Sequence, residues 1–182
     1  DPPHEAGETV FRYAIAQNKV SLSLRPHLPN RPIVARLSEP LWVHGHRAIE
    51  IFVSNPLWIE LYEAQTLLSM AHIPSLPLSD SWFGSSPREG ELCYANRTEA
   101  RLDVHKIPLN LMRATTRITV VNQLEEPVRV ERVKIPSALL GLHINQKSQL
   151  WTTSLRLERR ALQGKSKVQL GAPKATSQDP FH

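Results

Sequence analysis

The sequence predicts an all-β fold, a β-sandwich or jelly-roll of antiparallel strands. Fifteen prolines in 182 residues disfavour long helices. Several segments alternate apolar and polar residues with a period of two, which is typical of strands with one buried face. Short strands that follow one another with turn residues between them indicate two packed layers of sheet.

Three segments of the first third alternate strictly: KVSLSLR (19–25), RAIEIFV (47–53) and PLWIELY (56–62). Successive side chains of a strand point to opposite faces, so we expect every second residue to face the core. The expected core residues are Val20, Leu22, Leu24, Ile49, Ile51, Val53, Leu57, Ile59 and Leu61, and the expected outer residues of the third segment are Trp58, Glu60 and Tyr62.

The clearest unit is TRITVVNQLEEPVRVERVKIP (116–136), which predicts a β-hairpin around the turn NQLEEP. Its second arm changes phase, because the apolar residues stand at even positions up to Val130 and at odd positions from Val133. A shift of one residue turns a strand over, so we expect a β-bulge near Glu131–Arg132.

Another strand pair is expected between LLGLHI (139–144) and QLWTTSLRLE (149–158), around NQKS. A helix is compatible only with LYEAQTLLSMAHI (61–73), whose apolar spacing indicates neither the helical period nor the strand period. From residue 161 onward the chain is rich in Gly, Pro, Ser, Lys and Gln, a composition typical of disorder. We therefore expect one β-sandwich domain over 1–160 and a flexible basic tail over 161–182.

The basic character of the chain is concentrated near its C-terminal end. Residues 1–150 carry 16 basic and 15 acidic side chains, against 6 and 2 in residues 151–182. This distribution does not predict a nucleic-acid groove across the folded body. The single cysteine, Cys93, excludes an intramolecular disulfide and fits a reducing compartment. With no apolar run long enough for a membrane span and no signal-peptide core, we expect a soluble, cytoplasmic protein.

The stretch LWVHGHRAIE (41–50) raises the question of a metal site. In an extended strand His44 and His46 share a face, and with Glu50 they match the H-x-H-x-x-x-E spacing of the first metal motif of cupins. The rest of the cupin pattern is missing, since Ser38 replaces the expected glycine and residues 84–100 contain no histidine. We favour a turn centred on Gly45, and we assign no metal, cofactor or catalytic residue.

Other chemical signals are weaker. The glycines form no phosphate-binding loop, and the chain has no G-x-S-x-G elbow. Cys93 lies in an expected strand and is interpreted as a buried apolar residue. His27, His72, His105 and His143 are interpreted as isolated surface or capping residues. Four aromatic residues offer either a stacking surface for bases or sugars or, as we favour, a core or rim: Trp58, Tyr62, Trp82 and Phe83.

Taken in order, these segments resemble a family known as domain of unknown function 432, found in archaea and some bacteria. The resemblance covers about residues 18–158 and rests on VSLSLRPHLPNRPIVARLSEPLWVHGHRAIEIFVSNPLWIEL (20–61), WFGSSPREGELCYA (82–95) and ITVVNQLEEPVRVERVKIP (118–136). The chain departs from the family at 80–82, where Asp, Ser and Trp replace a Lys and small residues.

The resemblance implies an all-β fold with HGH in a turn between strands, and genes that lie near those of mechanosensitive channels; it implies no activity. Our first hypothesis is a non-catalytic module that binds a protein partner. The first alternative is a cupin-like metal-binding protein or enzyme that uses His44, His46 and Glu50. The second alternative is binding of anionic ligands through the basic C-terminal segment, by Arg156, Arg159, Arg160, Lys165 and Lys167.

Overall fold

The described residues form strands joined by turns and two single-turn 3₁₀ helices, as the sequence predicts for an all-β protein. The computed structural model describes residues 20–98, 100–107, 110–145, 147–160 and 167–171. The strands are β1 (Leu22–His27), β2 (Ile33–Val43), β3 (Ala48–Pro56), β4 (Trp58–Glu63), β5 (Ser69–Pro74), β6 (Asp80–Gly84), β7 (Gly90–Thr98), β8 (Arg113–Asn122), β9 (Val128–Ile135), β10 (Leu142–Ile144), β11 (Leu150–Thr152), β12 (Ser154–Arg159) and β13 (Lys167–Gly171). The 3₁₀ helices are Val104–Lys106 and Ser137–Leu139.

The described strands form three sheets. The first sheet has six strands, and β8 is its central strand. β3 pairs with one edge of β8, whereas β11 and β12 both pair with its other edge. β10 pairs with β11, and β13 pairs with β12. A second sheet has the order β6-β7-β2-β9, and a third has the order β1-β4-β5. Most strand pairs are antiparallel, as expected, but the pairs β2–β7, β8–β11 and β8–β12 are parallel, so two of the sheets are mixed.

The hydrophobic core lies between the six-stranded and the four-stranded sheets. It is built from branched aliphatic residues that alternate inward along the strands, and burying them is the main force that holds the two layers together. The core members are Leu28, Ile33, Ala35, Val43, Ile51, Val53, Leu57, Ala114, Ile118, Val120, Val133, Ile135, Leu140 and Leu155. No residue of β1, β4 or β5 is among them, so the three-stranded sheet stands beside the core.

The segment 116–136 forms two strands, but they do not pair with each other. β8 belongs to the six-stranded sheet and β9 to the four-stranded sheet, so the turn between them connects two layers. The predicted hairpin is therefore wrong, because alternation shows which residues are buried but not which strand lies alongside. The predicted irregularity is present: the β2–β9 register shifts opposite Glu131, with the additional residues lying in β2 between Arg36 and Leu41.

Three further sequence-based expectations can be compared with the structure. Residues 61–73, where a helix remained open, contain the end of β4 and most of β5. The strand pair around NQKS is confirmed by β10 and β11. Within 161–182, where we expect a flexible tail, residues 167–171 form strand β13 alongside β12, so the expectation is wrong for these five residues. The other residues of that segment lie outside the described ranges.

Candidate functional site

The turn HGH joins β2 to β3, which confirms the interpretation of this stretch as a turn. His46 adopts a positive φ of 54°, and its backbone N–H donates to the Leu124 carbonyl at 3.0 Å. His44 and His46 are both exposed, and Glu50 lies 3.5 Å from the Arg117 guanidinium. Their ligand atoms do not lie within 4.8 Å of one another, unlike those of another trio in the described part of the chain.

A different set of polar residues meets on the three-stranded sheet. In the register of this sheet Arg25 lies opposite Glu60, and Glu60 lies opposite His72. Directly paired residues of neighbouring strands share a face, so all three side chains lie on one side. His27, two residues after Arg25, joins them there. We call this the polar face, and its members are Ser23, Arg25, His27, Trp58, Glu60, Tyr62, Ser69, His72 and Pro74.

Glu60 lies at the centre of the polar face. Its exposed fraction is only 3%, although the sequence pattern predicts it outside. Arg25 donates from Nε to Oε2 at 2.6 Å and from Nη2 to Oε1 at 3.1 Å. On the other side, His72 Nε2 lies 3.7 Å from Oε1. The carboxylate is therefore held between a guanidinium and an imidazole.

The charge of Glu60 is set by Arg25. Its hydrogen bonds lower the pKa of the Glu60 carboxyl from 4.5 to about 2, against the opposing effect of burial. The same hydrogen bonds with Glu60 raise the pKa of the Arg25 guanidinium. Glu60 is consequently ionised at neutral pH.

Two histidines stack beside this ion pair. The ring centroids of His27 and His72 are 4.4 Å apart, with an angle of 18° between the planes. His27 Nδ1 is hydrogen-bonded to the Leu28 carbonyl, and His72 Nε2 lies 3.2 Å from the Ser69 hydroxyl. One ligand atom each of His27, Glu60 and His72 lies within 4.8 Å of the other two.

A cleft of about 360 Å³ adjoins His27. It is lined on one side by the chain after β1 and on the other by the region of the second 3₁₀ helix. His27 belongs to its wall, so this residue contributes to both the cluster and the cleft. The other lining residues are Pro26, Leu28, Pro29, Asn30, Ser137, Ala138, Leu140 and Leu142.

The opposite side of the three-stranded sheet is apolar and only partly covered. We call its apolar residues the apolar face: Leu22, Leu24, Pro26, Ile59, Leu61, Ala71 and Ile73. The register also places the buried Glu63 on this side, opposite Leu22. Leu22 and Leu24 are 50% and 66% exposed, although alternation predicts that they face the core. Ile59, Leu61 and Ile73 are half-buried. The alternation is thus correct, but the inner and outer sides of β1 and β4 are not those expected.

From the sequence we interpret His27 and His72 as isolated residues. In the structure their rings stack, so this interpretation is wrong. His27 continues the period of two from Ser23 and Arg25, and this signal is readable in the chain. His72 falls in 61–73, where helix and strand are equally compatible with the sequence. Only the pairing of β1 and β5 with β4 places the two rings together.

The remaining candidate residues are distributed over other parts of the fold. Cys93 is fully buried, as expected, and burial raises the pKa of its thiol. Trp58 lies near Tyr94, whereas Trp82 and Phe83 lie in β6 of another sheet, and no ring contact joins these three residues or Tyr62 to one another in the described part of the chain. Arg156 and Arg160 both pair with Glu158, at 2.9 and 2.7 Å. Lys165 lies outside the described residues.

Comparison with known proteins assigns the chain to one family. No curated protein and no solved structure shows significant similarity to the chain. No helix among the described residues is long and apolar enough to cross a membrane. A family model described as "Protein of unknown function (DUF432)" matches residues 4–180, a wider range than the resemblance in the sequence suggests. The chain therefore belongs to the DUF432 family.

Proposed function

We propose that the domain is a non-catalytic protein-interaction module and that its partner packs on the apolar face of the three-stranded sheet. The observation that carries the proposal is the exposure of Leu22 and Leu24, side by side with the half-buried Ile59 and Leu61. A contiguous apolar surface of this kind, bordered by polar groups, is typical of binding sites.

The energetic argument concerns the sheet itself. A three-stranded sheet needs an apolar face packed against something to be stable in water. The side chains of the apolar face are not part of the core between the two larger sheets. Covering them contributes about 25 cal/mol for each Å² of apolar surface removed from water, which must exceed the entropic cost of association.

The non-catalytic part of the proposal is supported by Cys93. A nucleophilic cysteine is accessible and has a lowered pKa. The Cys93 thiol is fully buried, and its pKa is raised by that burial. The residue therefore has the properties of a core side chain.

The proposal is tested by comparing two double variants of the full chain as baits. In Leu22→Glu/Leu24→Glu the apolar face carries two charges. The matched control, Leu67→Glu/Leu68→Glu, places the same charges in the exposed turn between β4 and β5. We expect a partner that binds the wild type and the control with equal affinity but binds the first variant at least about tenfold more weakly, as expected for the loss of an interface anchor.

Both variants are first checked for folding by circular dichroism, and self-association of the wild type is measured by sedimentation. A partner retained equally by both variants would contradict the proposed surface. Failure of the wild type to form any complex of defined stoichiometry would contradict the proposed function.

A further inference from the structure

The polar face combines two imidazoles and one carboxylate at close range. The ligand atoms of His27, Glu60 and His72 lie within 4.8 Å of one another, and no other trio of His, Cys, Asp or Glu in the described part of the chain meets this condition. Two histidines and a glutamate form a donor set that proteins use for Zn²⁺, at about 2.0–2.2 Å from the metal.

We propose that His27, Glu60 and His72 bind one divalent transition-metal ion of the zinc class through two imidazole nitrogens and a carboxylate oxygen. With three protein ligands, a tetrahedral ion keeps one position for water or another small ligand. The site is on the side of the sheet opposite the surface proposed for protein binding, and the two proposals are independent.

The hydrogen bonding of His27 favours metal binding. The Leu28 carbonyl can only accept, so Nδ1 of His27 donates this hydrogen bond and Nε2 is the nitrogen left to act as a metal ligand. A histidine that donates one ring N–H to a backbone carbonyl and ligates through the other nitrogen is the usual arrangement around protein metals. The backbone after β1 therefore orients the ring and selects the tautomer.

Glu60 supplies the negative charge that the ion requires. The carboxylate already faces a cation, since both of its oxygens accept hydrogen bonds from the Arg25 guanidinium. Binding exchanges one cation for another, since the metal takes the oxygen that the guanidinium now occupies. Arg25 can leave without losing all its contacts, because its side chain is half exposed and its guanidinium also lies 4.7 Å from the centre of the Tyr62 ring.

The two rings must reorient to share an ion. Parallel imidazoles stacked 4.4 Å apart direct their lone pairs side by side, not toward one point. A ligated metal lies in the plane of each ring, so we expect His27 and His72 to tilt relative to one another on binding. This change is measurable by NMR as a shift of the ring proton resonances of these two residues.

The test uses the full chain without an affinity tag, freed of metal by a chelator and titrated with ZnCl₂ in a calorimeter. We expect one equivalent to bind to the wild type. We expect the affinity to fall by at least about a hundredfold in His72→Ala and in His27→Ala, which is the upper end of the loss usual for outer-shell partners. His44→Ala/His46→Ala is the matched control, because it removes two exposed imidazoles at a turn and should leave the affinity unchanged. CoCl₂ in place of zinc should give visible absorption bands typical of four-coordinate cobalt.

Arg25→Gln distinguishes loss of metal binding at this site from a general effect of substitutions on the three-stranded sheet. We expect it to bind Zn²⁺ more tightly than the wild type, because the competing cation is gone. Circular dichroism shows whether the alanine variants fold. If they do not, the proposal is decided by the zinc affinity of Arg25→Gln and by the ring-proton shifts of the wild type on zinc binding. Absence of stoichiometric zinc binding, equal loss in the His44/His46 control, or weaker binding in Arg25→Gln would overturn the proposal.

Discussion

Arg25 on β1 and Glu60 on β4 form a two-point ion pair, with Nε donating to Oε2 at 2.6 Å and Nη2 donating to Oε1 at 3.1 Å. The pair crosses the two strands at directly opposite positions of the register. It lets a carboxylate that is almost completely buried remain ionised. The stability of the three-stranded sheet is thereby linked to the protonation of one residue.

Acidification should therefore destabilise the fold through Glu60. The pKa of this carboxyl is about 2 in the folded protein, below its ordinary value of 4.5, so the folded state favours the ionised form. Its contribution to the free energy of unfolding is complete above pH 4.5 and is lost as the pH falls from there toward 2. Glu60→Gln should lack this part of the pH dependence, as measured by melting temperature from pH 7 to pH 2.

Glu50→Gln is the control for this experiment, because Glu50 is an exposed glutamate near an arginine. Glu63 and Glu158 also have lowered pKa values, but they are present in every variant and cancel in the comparison. Parallel melting curves for the wild type and Glu60→Gln over the whole range would show that the ion pair does not couple pH to stability.

Gly45 should not tolerate a side chain. A Cβ added there would lie 1.9 Å from the carbonyl oxygen of Glu125, because the HGH turn packs directly on the turn between β8 and β9. We expect Gly45→Ala to lower the free energy of unfolding by about 1–3 kcal/mol through overpacking. His44→Ala, which changes an exposed side chain of the same turn, should stay within about 0.5 kcal/mol of the wild type. Urea denaturation measures both, and equal values would contradict this account of the turn.

A buried polar network connects the two large sheets. Asn55, which is 1% exposed, donates to the Thr116 hydroxyl at 3.0 Å and accepts from Asn96 of the other sheet at 3.3 Å. We expect Asn55→Ala to cost about 1–3 kcal/mol, because it leaves buried groups unsatisfied.

The coupling within this network is testable by a double-mutant cycle. Thr116→Val removes the hydroxyl with little change of shape. Combined with Asn55→Ala, it should show a coupling free energy of about 0.5–3 kcal/mol in chemical unfolding. Strictly additive losses would mean that the two side chains act independently.

Local patterns in the chain were sufficient for part of the architecture. The strands around Leu22, Ile51 and Ile118 follow from the alternation of apolar and polar residues, and the bend at Gly45 follows from turn-forming residues between two strands. The irregularity opposite Glu131 follows from a change of phase within one strand. All these features depend on neighbours within a few positions of the chain.

The pairing of strands was not accessible in the same way. β8 and β9 have the sequence of a hairpin, yet they belong to different sheets. Likewise, alternation distinguishes the two sides of β1 and β4 but does not say which is covered, so the burial of Glu60 and the exposure of Leu24 were both unexpected.

The amino-acid sequence by itself determined the all-β class, the DUF432 resemblance and the position of most turns, because these depend on side-chain periodicity and local backbone preference. Tertiary structure alone decided that His27, Glu60 and His72 meet. Their proximity requires β1 and β5, which are separated by more than forty residues, to pair on either side of β4. Such long-range pairing is selected by the packing of whole sheets, and no short stretch of the chain encodes it.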